Sequence, residues 1–213
     1  MEGRAQTGLV GCASIDDYRS NTIKKHEFTR ADKEADRIRH VDACDANTGP
    51  IFLACRPQAK LHTILEDWKA AHAPVYDFVQ DGVRQTVWVV DDDSAIVRLT
   101  ETIAKIEALY IADGHHRAAS AVRVGEMRRE ATPGYTGEEE FNFFLAVLFS
   151  SDELAIMDYN RVVKDLNGYT QAEFLQKIGE KFEVSAYEGE GAFHPEQSLS
   201  LIHISEPTRP ISI

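Results

Sequence analysis

Asp113-Gly114-His115-His116-Arg117 sets one carboxylate, two imidazoles and one guanidinium beside a glycine. Arg117 offers a planar fork of donors suited to phosphate or carboxylate. Gly114 can adopt backbone angles closed to other residues and lets a ligand come close. A helix beginning near His115 aims its unbonded N–H groups, and their partial positive charge, at whatever lies in the turn. Together these groups form the physical recipe for a phosphate cradle. Further upstream, His26 and Glu27 are followed by Arg30, Lys33, Glu34 and Arg37. Arg30, Lys33 and Arg37 fall at i, i+3 and i+7, so a helix places all three on one face.

These groups work only if regular elements hold them. Leu109 to Ala112 reads as a short buried strand, and Asp113 sits at its carboxyl end. The residues after Gly114 are rich in small side chains, Ala118, Ala119, Ser120 and Ala121, which allow a helix to lie close on a sheet. Thr29 and Asp32 resemble a capping box and predict a helix over about 30–40. Other strands are expected at about 7–14, 50–55 and 141–149. Leu61, Ile64, Leu65 and Trp68 are spaced as on the apolar face of a helix over 61–71, which puts Trp68 in a core. Segments 75–79 and 85–90 flank Asp81-Gly82 and predict a hairpin. Helices are expected over 96–109 and about 171–182, the second capped by Thr170 and Glu173. Ala155–Tyr159 is the expected antiparallel partner of strand 141–149. The whole predicts an α/β (α+β) fold, a mixed sheet with flanking helices.

Composition narrows the function. The chain has 213 residues, with 43% hydrophobic and 27% charged residues, as in a globular protein without a membrane span. A net charge of -12 argues against a general nucleic-acid surface. Cys12, Cys44 and Cys55 are odd in number and widely spaced, fitting neither a disulfide framework nor a zinc pattern. A reducing cytoplasm is therefore the expected location. Asp91-Asp92-Asp93 reads as a turn, because it lacks the spaced oxygens, glycine and distal glutamate of a calcium loop.

Leu199 to Arg209 resembles a reading-frame translation of a transposase adapter used in sequencing libraries. On that reading residues 199–213 are not native protein, and His203 is no ligand. Residues 1–190 then form a partial domain, 191–198 stay unassigned, and the chain is a fragment truncated at both ends.

Ile111-Ala112-Asp113-Gly114-His115-His116-Arg117, with Lys25-His26-Glu27-Phe28-Thr29 and Lys33-Glu34-Ala35-Asp36-Arg37 upstream, resembles domain of unknown function 1015, a bacterial and archaeal family. Tyr159-Asn160-Arg161-Val162-Val163 is also similar to a family segment. The resemblance covers about residues 5–190. Ala118 departs from it, since the family usually carries an aromatic residue there. If that ring stacks on a ligand, binding here is weaker. The Gly114–Arg117 turn further resembles a Gly-x-x-Arg motif of the ParB/sulfiredoxin-like superfamily, where the turn contacts nucleotide phosphates. That likeness implies a ParB/sulfiredoxin-like core and, by analogy, nucleotide chemistry.

Three functions follow as expectations. The first is a nucleotide-dependent phosphotransferase of the free-serine-kinase type, using ATP or ADP with Mg2+ on a small hydroxyl substrate such as serine. In it, Gly114 and Arg117 hold phosphate, and Arg30, Lys33 and Arg37 complete an electropositive wall. Asp113 binds magnesium through water, Glu27 is the candidate base, and Glu34 stands as fallback base and second metal candidate. His115 or His116 donates to a phosphoryl oxygen or orients the acceptor. The second is a nucleotide-gated regulatory module of ParB type without turnover. The third is a metal-dependent hydrolase using His26, Glu27, His115 and His116, against which stands the lack of a helical ligand pair.

Overall fold

The computed structural model describes residues 3–27, 31–155 and 163–189, and at residues 31–33 the backbone alone. The predicted cap at Thr29 and Asp32, Arg30, the Lys33 side chain, residues 156–162 and the adapter-like run after 198 lie outside that description. The chain divides into two compact units, Met1–Leu154 and Ala155–Ile213.

The first unit is a mixed α/β structure. Its elements are β1 (Leu9–Ser14), α1 (Ile15–Arg19), β2 (Ile23–Lys24), α2 (Ala31–Cys44), β3 (Ile51–Cys55), α3 (Ala59–Ala71), β4 (Tyr76–Gln80), β5 (Val83–Val87), α4 (Asp93–Ile103), β6 (Leu109–Asp113), α5 (His115–Ala131) and β7 (Phe143–Ser150). Five strands form one sheet in the order β1-β7-β3-β6-β2. β3 runs parallel to β7 and antiparallel to β6, so the sheet is mixed. Both edges of β7 are taken along most of its length, by β1 from Leu9↔Leu148 to Ser14↔Phe143 and by β3 from Ile51↔Ala146 to Cys55↔Ser150. The partner expected at 155–159 lies almost wholly outside the described residues.

Alternation explains the core. Ile51, Leu53 and Cys55 of β3 and Phe144, Ala146 and Leu148 of β7 point to buried positions, as a period of two requires. Ala118, Ala121 and Val122 of α5 join them in one cluster with Ile15, Leu61 and Leu99. Small residues let α5 approach the strands, and its Gly125 shows how closely: an added Cβ would lie 2.4 Å from the Phe141 carbonyl oxygen. Ala118 is fully buried, so this position faces the core and not a ligand.

Caps and turns follow local chemistry. Asp92, within the predicted aspartate turn, caps α4 by accepting from the Ala95 amide at 2.8 Å. β4 and β5 form the predicted hairpin, and Asp81 and Gly82 both have positive φ, as a type I′ turn requires. Trp68 is half-buried; its indole donates to the Val89 carbonyl at 3.1 Å and its ring stacks on His72 at 3.7 Å. Near the C-terminal end of α5, Arg129 forks onto Asp16 at 2.7 and 2.8 Å and donates to buried Asn142. In the second unit, Thr170 and Glu173 complete the expected capping box of α6 (Gln171–Gly179). No helix among the described residues is long and apolar enough to cross a membrane.

Candidate functional site

Strand β6 ends at Asp113, the chain turns at Gly114, and α5 starts at His115. Gly114 has φ 97 and ψ 25, a left-handed conformation that costs a side chain but not glycine. The first intrahelical bond runs from the Ala118 amide to the Gly114 carbonyl at 2.8 Å. The amides of His115, His116 and Arg117 therefore precede the helical ladder, and no acidic side chain occupies the first turn of α5.

A cavity of about 490 Å3 opens at this corner, within the size range of small-molecule sites. All five residues from Asp113 to Arg117 line it, and Glu27 joins them from the segment after β2. Asp36 and Arg37 enter from α2, which packs along α5. Arg128 reinforces that packing by bonding Asp45 and, at 3.2 Å, Asp42 at the C-terminal end of α2. Of the anion-binding residues expected from sequence, Gly114, Arg117 and Arg37 converge here. Asp36 was not among the expected site residues; its place beside Arg37 in the Lys33–Arg37 segment was the available signal.

Arg117 already has a partner. Its Nη2 donates to Asp113 Oδ2 at 2.9 Å, while its buried Nε has none. The guanidinium lies over the glycine, with Nη2 only 3.0 Å from where a Cβ would sit on Gly114. Arg117 and Asp113 keep 40% and 72% side-chain exposure, so the pair is a surface latch and not a buried lock.

His115 is the opposite case. It is only 5% exposed, and its Nε2 is buried without a hydrogen-bond partner. Its Nδ1 lies 3.4 Å from Glu27 Oε2. The His26 ring stands edge-on at 4.4 Å. Burial pushes the His115 imidazole below its usual value, and the neighbouring His26 pushes the same way. Both outweigh the opposing pull of Glu27 and Asp113, so His115 is neutral near pH 7. Glu27 thus meets His115 directly, a pairing that a separation of 88 positions concealed in the sequence.

The remaining candidates are placed differently. His26 is exposed and outside the cavity lining, whereas His116 lines the cavity. Glu34 is also outside the lining, and its carboxylate acts on the Tyr18 phenol, which burial already holds above its usual value. Among the described residues, no group of three or more His, Cys, Asp or Glu side chains could hold a metal ion. A dedicated metal cage from His26, Glu27, His115 and His116 therefore has no geometric support there.

Neither the curated proteins nor the solved structures contain a match to the chain. The family model described as protein of unknown function (DUF1015) matches residues 1–209, and the chain belongs to that family.

Proposed function

We propose that this protein is a nucleotide-dependent phosphotransferase that acts on a small hydroxyl substrate, in the manner of a free-serine kinase. The observation carrying this reading is the cavity at the β6–Gly114–α5 corner, where Arg37, Arg117 and the leading amides of α5 meet a carboxylate–imidazole pair. Phosphoryl transfer requires charge neutralisation, fixed positions for both reactants and a proton acceptor. The corner holds the raw material for each. The resemblance of the Gly114–Arg117 turn to the ParB/sulfiredoxin-like superfamily supports the same chemistry by analogy.

Charge counting defines the nucleotide's form. Two arginines face three carboxylates, Glu27, Asp36 and Asp113, around the cavity. Among the described residues a bare polyphosphate would meet no net positive charge, which favours entry of ATP or ADP as its Mg2+ complex. Magnesium keeps several waters and binds through one or two carboxylates plus phosphate oxygens. Asp113 at the cavity edge suits such a water-mediated contact, whereas a resident metal cage does not fit the described residues. When bound, Mg2+ would neutralise phosphate charge; Arg117 and the α5 amides would position the oxygens.

The Arg117–Asp113 latch favours a second reading, a nucleotide-gated module without turnover. There, phosphate takes Arg117 from Asp113 and alters the surface seen by a partner protein.

The test is direct. The protein is incubated with MgATP or MgADP and L-serine, and phosphoserine is sought by phosphorus NMR. Phosphoserine above a boiled control supports the kinase. A thermal shift with nucleotide but no transfer favours the module. Absence of both rejects nucleotide chemistry at this corner.

A further inference from the structure

We propose that Arg37 and a narrow cleft beside it hold the carboxylate of the acceptor, so the substrate is a hydroxy amino acid bound as its zwitterion and not a neutral alcohol. This names the substrate class of the phosphotransferase reading above and rests on it. Arg37 then leaves the phosphate-binding set and becomes a specificity-determining residue.

Charge is divided unevenly around the corner. Arg37 and Arg117 line the 490 Å3 cavity together with the carboxylates of Glu27, Asp36 and Asp113. The same two arginines also line a second cleft, whose other walls include His40 from α2 and Asn47, Thr48 and Gly49 from the segment before β3. Among the described residues no carboxylate lines that cleft. Asp42 and Asp45, which lie between these residues in sequence, pair with Arg128 instead. An anion is therefore drawn to the cleft side of the arginines, and a cation to the cavity side. The guanidinium groups also have donors to give. Among the described residues Arg37 makes no hydrogen bond or ion pair. Arg117 bonds Asp113 through Nη2, but its buried Nε has no partner, and an orphan of that kind calls for a cause.

Size selects the anion. The cleft measures about 10 Å3, room for one oxygen-sized atom. One carboxylate oxygen fills it, while the other stays with Arg37 at the cavity side. A phosphoryl group carries three outer oxygens and is too large, so phosphate remains in the main cavity with Arg117 and the leading amides of α5. Asn47 and Thr48 supply amide and hydroxyl donors to the cleft wall. In an α-amino acid the ammonium group is one carbon away from the carboxylate. It then falls on the acidic side, where Asp36 follows Arg37's own helix into the cavity. A neutral alcohol would leave both the free arginine and the acidic wall without a counter-charge, and sites built to pair a polar group reject analogues that lack it.

The experiment is calorimetric titration of the full chain, with and without saturating MgADP, using L-serine, L-alanine, ethanolamine and glycerate. L-Alanine keeps both charges, ethanolamine lacks the carboxylate and glycerate lacks the ammonium group. L-Serine and L-alanine are expected to bind with comparable affinity. Ethanolamine should bind at least about tenfold more weakly, the loss expected when charge-assisted hydrogen bonds are removed. R37M should weaken L-alanine by a similar factor and MgADP by less. Asn47 is exposed, so N47D is expected to fold. It sets a negative charge in the cleft wall and should weaken L-alanine about fivefold at low salt, less as salt is added, while sparing ethanolamine. Ethanolamine or glycerate bound as tightly as L-serine, or L-alanine affinity kept in R37M, overturns the assignment while leaving the phosphotransferase standing. L-Alanine affinity unmoved in N47D overturns it even if R37M does not fold. Absence of amino-acid binding to the wild type overturns it as well. Amino-acid binding without any binding of MgADP overturns the phosphotransferase reading and leaves the carboxylate site.

Discussion

Replacing Gly114 with alanine tests the corner on which the site is built. The residue sits at φ 97, where a Cβ is strained. A left-handed non-glycine residue costs roughly 1–2 kcal/mol, and the upper end applies because this φ lies well beyond the usual left-handed well. The new Cβ would also lie 3.0, 3.2 and 3.4 Å from Nη2, Nε and Cζ of Arg117. The guanidinium is a flexible end and moves aside, which loosens its 2.9 Å pair with Asp113. An exposed pair of this kind is worth about 0.2–1 kcal/mol. A stiffer unfolded chain gives back about 0.4–1 kcal/mol. The net is a loss of about 2 kcal/mol, or roughly 4–8 °C in Tm for a domain of this size. Thermal and urea unfolding of wild type, G114A, R117A and the double variant separate the contributions. In the R117A background only the backbone cost remains, so G114A should cost less there. Asparagine tolerates the left-handed region better, so G114N should be more stable than G114A. G114A unfolding within about 0.5 kcal/mol of wild type, or equal to it in both backgrounds, would refute the reasoning.

Two further outcomes are expected. Gly125→Ala should destabilise by about 2 kcal/mol, despite alanine's better helix propensity, because overpacking against backbone outweighs it; its Cβ would meet the Phe141 carbonyl at 2.4 Å and Ile15 Cδ1 at 2.8 Å, and urea unfolding reads the loss. The Thr136 amide, with further help from the Gly137 amide and the Thr136 hydroxyl, holds the Glu139 carboxyl down to about 2. Its contribution to stability is complete above its ordinary value of 4.5 and disappears as pH falls through about 2, so E139Q should flatten the acid side of a stability–pH curve.

Sequence patterns carried the local features well. The Asp81-Gly82 hairpin, the Thr170–Glu173 capping box and the strand–Gly114–helix corner each depend on residues within a few positions of one another. Helix limits were less legible: the stretch expected over 96–109 ends as α4 at Ile103, and Ile106 is buried outside it. β2 went unrecognised because Ile23–Lys24 is too short to show a period, although it pairs in parallel with β6. The pairing of β7 with β1 was not foreseen either, because Leu9–Ser14 lies at the other end of the unit. The same limit hid the meeting of Glu27 with His115, and of Asp36 and Arg37 with the glycine corner. Spacing reports which residues share a face of one element; it carries no information on which elements touch.

The strand order also governs how the protein is made. β7 is the strand to which both β1 and β3 pair, and its residues lie 129 to 139 positions after their partners in β1, from Ser14↔Phe143 to Leu9↔Leu148. During synthesis β1 waits on the ribosome without β7, its one sheet neighbour among the described residues, until nearly the whole first unit has emerged. Such distant pairing slows folding, toward milliseconds to seconds, and leaves unpaired edges open to wrong partners meanwhile. A chain released before Phe143 would keep the glycine corner in sequence yet lack the strand that anchors β3, and through it β6, to the rest of the sheet.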